Sequence, residues 1–160
     1  MVIVGIDPGL HITGYGVIES SGTKTRVLEA GIIRTDQNRE FELKLNEIHA
    51  EISKIIAQFK PDYIAVEELY SHYAHPRTAI IMGHARGVVF LQAAQSGIPV
   101  VSYASTRIKK SLTGNGRASK SQVQRMIKTA LKLKTDIASP DTADALAAAL
   151  CHHNALLGKQ

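Results

Sequence analysis

The order of apolar runs and periodic segments predicts an α/β protein, with a five-stranded mixed sheet flanked by helices. Three strand-like runs, at residues 2–7, 14–19 and 26–34, follow one another with short links. Closely linked strands of this kind form an antiparallel meander. Two further strand-like runs, at 63–66 and 99–103, alternate with long helical patterns. Strand, helix, strand in that order implies parallel crossovers. The chain has 160 residues, 44% of them apolar, which suits one domain over residues 1–160 with a real core.

Each element has a local reason. Val2 to Asp7 is a short apolar run stopped by Pro8-Gly9, which reads as a buried strand ending in a turn. Ser20-Ser21-Gly22 separates the second and third strands. Phe41, Leu45, Ile48, Ile52, Ile55 and Phe59 then recur at alternating four- and three-residue steps. That is one apolar helix stripe, with Glu42, Lys44, Glu47, Glu51 and Lys54 off it. Pro61 ends this helix. Residues 78–95 form a second helix, apolar nearly all round and therefore expected to be buried on more than one side. Gly83 and Gly87, one turn apart on it, permit a close helix contact within the monomer or across a dimer. From Thr106 the chain is basic and helical, interrupted by Gly114-Asn115-Gly116. Pro140 opens a last helix, rich in alanine and leucine through Leu150.

Composition removes several classes. Cys151 is the single cysteine, so an internal disulfide framework and a cysteine-type zinc site are excluded. In its alanine- and leucine-rich surroundings it reads as a small buried apolar residue. The N-terminus lacks the basic region of a signal peptide. No stretch approaches the ~20 apolar residues of a membrane span, so a cytoplasmic protein is expected. The formal net charge of +5 favours a polyanionic partner without proving one.

Four of the 14 acidic residues depart from the exposed helix faces where most of them lie. Asp7 ends the first strand on the pleat face of Ile3 and Gly5. Glu67 ends the fourth strand. Asp141 and Asp144 open the last helix, three residues apart and on one face. Taken singly, Asp7 reads as a turn-former, Glu67 as a strand-end charge, and Asp141 as a complement to the helix dipole with Ser139 as cap. Asp144, one turn into a helix with few polar residues before His152, resists such a reading.

Together the four say more. If the first and fourth strands are neighbours and the last helix packs on them, all four converge. Two carboxylates 4 Å apart repel by roughly 4 kcal/mol at an effective dielectric near 20, so a cluster requires protons or cations. An all-oxygen ligand set suits magnesium or manganese. One or two such ions beside a basic surface point to phosphodiester hydrolysis, with Asp7 as central ligand and Glu67 holding a metal.

The basic surface is also visible. Residues 105–135 contain no acid but carry Arg107, Lys109, Lys110, Arg117, Lys120, Arg125, Lys128, Lys132 and Lys134, nine of the 19 basic residues. Such a run is either a solvated face or a phosphate-binding surface of little sequence preference. Tyr70, three residues after Glu67 in a loop with Tyr73, either stacks on an unpaired base or packs against its own loop. His11, His72 and His75 are given no role. His152 and His153, about two turns past Asp144, are left outside the cluster.

The segments GIDPGLHITGYGVI, PDYIAVEELY, ARGVV, YASTRIKKSLTGNGRASKSQVQRMI and PDTADALAAALCHH, in this order and spacing, resemble the RuvC family of Holliday junction resolvases over nearly the whole chain. The resemblance implies a ribonuclease-H-like fold and a magnesium-dependent homodimer that nicks opposed strands of a four-way DNA junction. It carries the family's acids onto Asp7, Glu67, Asp141 and Asp144, its junction-contacting lysines onto Lys109 and Lys120, and its stacking aromatic onto Tyr70. Lys110 and Arg117 are added as DNA contacts from the basic stretch. The RuvA–RuvB branch-migration machinery is implied as a partner. Glu68 stands where glutamine occurs in the family, and residues 71–77 do not align with it.

Three other readings compete. GIDPG with TGYG also resembles the phosphate loop of actin-like ATPases, but 160 residues leave no room for a second lobe. The YqgF-type nucleases share the fold and act on RNA. A junction-binding module without catalysis would lack one of the acids, and none is missing.

Overall fold

The computed structural model describes residues 1–69 and 76–158. In chain order the elements are β1 (Val2–Asp7), β2 (Ile12–Ser21), β3 (Lys24–Arg34), α1 (Phe41–Phe59), β4 (Tyr63–Glu67), α2 (Pro76–Gln95), β5 (Val100–Tyr103), α3 (Ser105–Thr113), α4 (Lys120–Ala130) and α5 (Pro140–Leu156). The five strands form one sheet in the order β3-β2-β1-β4-β5. β1, β2 and β3 pair antiparallel, whereas β4 is parallel to β1 and β5 to β4. The expected meander and crossovers are therefore present. β2, β3 and α5 run longer than the apolar patterns indicate, because their ends pair or pack through polar residues such as Ser20 and His153.

The alternation of β1 divides the core in two. Val4 and Ile6 face α1 and α2, among Ile48, Ile52, Ile64, Val66 and Val89. Ile3 faces the other layer, with Ala65 and the α5 residues Leu146 and Ala149. That second layer holds α3, α4 and α5. The sheet is thus covered on both faces, and β1 and β4 read as near-continuous apolar runs for that reason.

Two expectations about the first helical layer need correction. Lys44, placed off the α1 stripe, is buried, and its Nζ donates to the Gln37 carbonyl at 2.9 Å. The long side chain packs its methylenes while its amine satisfies the loop before the helix. The second correction concerns α2, which is buried along one line only: Ala85, Val89 and Ala93. Ile80 and Leu91 are 61% and 55% exposed. Among the described residues nothing covers the outer face of α2, so its apolar composition does not translate into burial.

The basic stretch breaks into two short helices at glycine. Gly114 ends α3 at φ 76°, a conformation open to glycine at no steric cost. Ser119 starts α4 with a capping box completed by Gln122. In α5, every residue from Ala145 to His153 is buried, Cys151 among them as a free thiol. No described helix is long and apolar enough to cross a membrane.

Candidate active site

Pairing of β1 with β4 brings the first two acids together. Ile6 is opposite Val66, so Asp7 and Glu67 end neighbouring parallel strands at the same edge of the sheet. Both lie on the face that α5 covers. How close α5 comes is decided by three glycines. A Cβ on Gly5 would strike the Ala145 carbonyl, and one on Gly14 the Asp141 carbonyl. One on Gly16 would meet Leu146 Cδ2 at 2.5 Å. Gly5 pairs with Gly16 and Asp7 with Gly14 across the β1–β2 ladder. The alanines of α5 therefore rest on bare backbone, and the first turn of the helix lies directly over Asp7. The signal was present in the spacing of Gly5, Gly14 and Gly16 and in the alanines of α5, but went unread as a packing motif.

The start of α5 is held in place. Ser139 caps the helix by accepting from the Asp141 N–H at 3.2 Å, and its hydroxyl donates to Asp141 Oδ2 at 2.9 Å. Thr142 donates to the Gly31 carbonyl on β3 at 3.0 Å. The cap expected from sequence is thus present, and it orients the Asp141 carboxylate as well.

Electrostatics show the four acids in mutual range. Burial, then the carboxylates of Asp144, Glu67 and Asp141, raise the Asp7 carboxyl from an ordinary 3.8 to about 7, with Lys120 opposing. Burial also raises Glu67, with the nearby Ser105 hydroxyl opposing and Asp144 adding to the rise. Asp144 is raised by burial and held down mainly by Lys120, whose Nζ lies 3.6 Å from Asp144 Oδ2. Among the described residues no three of these side chains already grip a common point as a closed cage. The acids instead face a cleft in which the Lys120 ammonium supplies positive charge. The donors are all carboxylate oxygens, a set that fits a hard divalent cation.

Beside the acids lies a cavity of about 130 Å³ lined by Glu67, Ser105, Ile108, Lys109, Lys120, Val123, Asp144 and Ala147. It joins two acids to two of the expected DNA-contacting lysines. Lys110 and Arg117 are exposed on α3 and in the loop after it, outside this cavity. Tyr70 lies outside the described residues. Ser105, which opens α3 beside Glu67, was not anticipated; a serine at a helix start reads only as a cap. A wider groove of about 830 Å³ between β3 and α1 is lined by Tyr15, Glu29, Asp36, Arg39, Glu47 and Lys54, among others. Its charges pair with one another, Arg39 with Glu47 at 2.9 Å and Lys54 with Glu51 at 2.6 Å. Its acids are matched by cations, Arg39 lying against both Asp36 and Glu47, so its size does not make it the chemical site.

The strand order, the acids closing β1 and β4, and a helix opening with two more acids over them define the class: a ribonuclease-H-like protein built around a carboxylate cleft. The family model for "Crossover junction endodeoxyribonuclease RuvC" matches residues 3–152, and the chain belongs to this RuvC family. A crossover junction endodeoxyribonuclease of Rhodopirellula baltica is 49% identical over 94% of this chain and 85% of its own length. That of Ruminiclostridium cellulolyticum is 45% identical over 99% of this chain and 98% of its own. The Thermus thermophilus RuvC solved in complex with a Holliday junction substrate superimposes with a TM-score of 0.94, at 33% identity, covering 99% of this chain and 96% of that one. The family match decides against the ATPase and YqgF-type readings.

Proposed function

We propose that this chain resolves four-way DNA junctions as a magnesium-dependent endodeoxyribonuclease, with Asp7, Glu67, Asp141 and Asp144 as its catalytic, metal-holding carboxylates. The observation that carries the reading is the gathering of these four acids from β1, β4 and α5 at one cleft, beside Lys109 and Lys120. One or two magnesium ions, replaceable by manganese, would polarise the scissile phosphate and lower the pKa of the attacking water when bound. Asp7, on which the other three acids act, would be the central ligand. Glu67, beside Ser105, and Asp141, oriented by Ser139, would be its partners. Lys120 pairs with Asp144 in the absence of substrate and turns to a DNA phosphate when the cleft fills. Lys109, Lys110 and Arg117 contact the phosphate backbone, and Tyr70 stacks on a base near the crossover.

Residues 1–160 act as one nuclease domain. Two copies work together, one on each of two opposed strands, which yields symmetric nicks. The exposed apolar residues Ile80 and Leu91 on α2 support a homodimer that buries this helix. The RuvA–RuvB complex supplies the junction, and the site of action is the bacterial cytoplasm, at the nucleoid. The test is incubation with synthetic four-way, duplex and RNA–DNA hybrid substrates, with and without magnesium. Paired nicks in the junction alone, only with the ion, are expected. Cutting of the hybrid in preference to the junction would overturn the proposal.

A further inference from the structure

Two turns along α5 from the acids lies a buried polar link with no part in the chemistry described so far. His152 is 4% exposed, and its Nδ1 shares a 2.7 Å hydrogen bond with the Tyr103 hydroxyl. Its Nε2 has no hydrogen-bond partner among the described residues. The ring instead lies against Tyr63, centroids 4.5 Å apart. A buried polar atom left without a partner is a cost that leucine at this place would avoid, so the imidazole calls for an account through its other nitrogen.

Tyr103 is where three parts of the site meet. It is opposite Glu67 in the β4–β5 ladder, and its carbonyl accepts the Glu68 N–H at 2.9 Å. It thereby holds the backbone just past Glu67. Its ring carries the Arg107 guanidinium, 5.0 Å from the centroid, and Arg107 belongs to α3, the helix of Ser105 and Lys109. Its hydroxyl reaches His152 on α5, two turns beyond Asp144 on the same rigid helix. Near the acids α5 rests on glycine backbone and is tied to β3 by the Thr142 hydroxyl on the Gly31 carbonyl, and farther along His153 bonds Ser20 on β2; the Tyr103–His152 bond ties it to β5, beside the strand of Glu67.

We propose that Tyr103 and His152 are positioning residues, whose hydrogen bond sets the spacing of Asp144 from Glu67. Ligand oxygens must be held within about 0.5 Å of their working geometry, and a tie from α5 to the β4–β5 side of the sheet serves that need. The inference rests on the reading of the four acids as the metal-holding site. Its test compares Tyr103→Phe, His152→Leu, His152→Asn and the Tyr103→Phe/His152→Leu double variant. Mn²⁺ uptake is measured by calorimetry, junction binding without metal by fluorescence anisotropy, and the Mg²⁺ concentration for half-maximal cleavage in single turnover. Tyr103→Phe and His152→Leu are each expected to weaken Mn²⁺ uptake about tenfold, as loss of a group that orients metal ligands commonly does. The half-maximal Mg²⁺ concentration should rise by the same factor, with metal-free junction binding unchanged. The double variant should be no worse than the single ones, since all break one bond. Asparagine, which keeps a polar atom near the place of Nδ1, should recover most of the affinity. Unaltered Mn²⁺ uptake in Tyr103→Phe, or parallel loss of metal-free junction binding, would overturn the proposal. If the unmodified protein takes up Mn²⁺ yet leaves junctions intact, the nuclease reading fails alone, and the uptake comparison still decides the positioning role.

Discussion

Replacing Asp7 by asparagine should end cleavage while making the metal-free protein more stable, and the gain can be worked out from the cleft. The folded-state value of Asp7 is about 7 against an ordinary 3.8, a rise of about 3 units. At 1.36 kcal/mol per unit, the charged form is disfavoured by at most about 4 kcal/mol. Asp7 is only partly buried, and water screens some of this, so about 2 kcal/mol is the expected effect. The sign follows from proton linkage. Between about pH 4 and pH 7 the folded protein keeps a proton that the unfolded chain releases, so metal-free stability falls as pH rises through that window. Asparagine has the same shape and no charge, and should escape the loss. Near pH 8, with a chelator present, Asp7→Asn should melt about 4–8 °C above the unmodified protein, given ~2–4 °C per kcal/mol in a chain of this size. The difference should shrink towards zero near pH 4, and magnesium should raise the melting temperature of the unmodified protein more than that of the variant. The assay is thermal unfolding across pH, beside junction cleavage and binding. A variant less stable than the parent near pH 8, or a difference indifferent to pH, would show that the acids do not repel one another as argued.

Other expectations concern the wall, the floor and the outer face of the site. Lys109→Ala and Lys120→Ala should each weaken junction binding and reduce its logarithmic salt slope by about one, because each removes one phosphate contact; an unchanged slope would place those lysines away from DNA. Gly5→Ala should cost about 3 kcal/mol or more in urea unfolding, since the methyl group has no space except by lifting α5 off β1; a cost under about 1 kcal/mol would refute the bare-backbone seating. Ile80→Asp, on the exposed side of α2, should shift the mass found by sedimentation towards the monomer while leaving the metal-dependent melting shift intact. An unchanged dimer mass would move the interface elsewhere.

Much of the site was legible before any fold was seen. Asp7 and Glu67 stand out because each ends an apolar run, where a charge has no packing purpose. Asp144 stands out because it lies one turn into a helix with few other polar residues before His152. The concentration of lysine and arginine between residues 105 and 135 needs no structure to be noticed. All of these are local statements, and local periodicity settles which face of a strand or helix a residue occupies.

Periodicity does not say what covers that face. Lys44 looked solvated until the loop at Gln37 supplied a carbonyl for its amine. The second helix reads as buried on more than one side, but its outer side has no neighbour among the described residues. His152 looked remote from the acids, and is remote in sequence steps, yet it is tied through Tyr103 to the backbone beside Glu67. What the chain alone determined is therefore the kinds of groups present and the element each sits on. Their meeting was decided only by the parallel pairing of β1 with β4 and by the seating of α5 on Gly5, Gly14 and Gly16. The physical reason is that carboxylates repel: their approach has to be imposed by packing elsewhere, and packing is a property of surfaces brought together from distant parts of the chain.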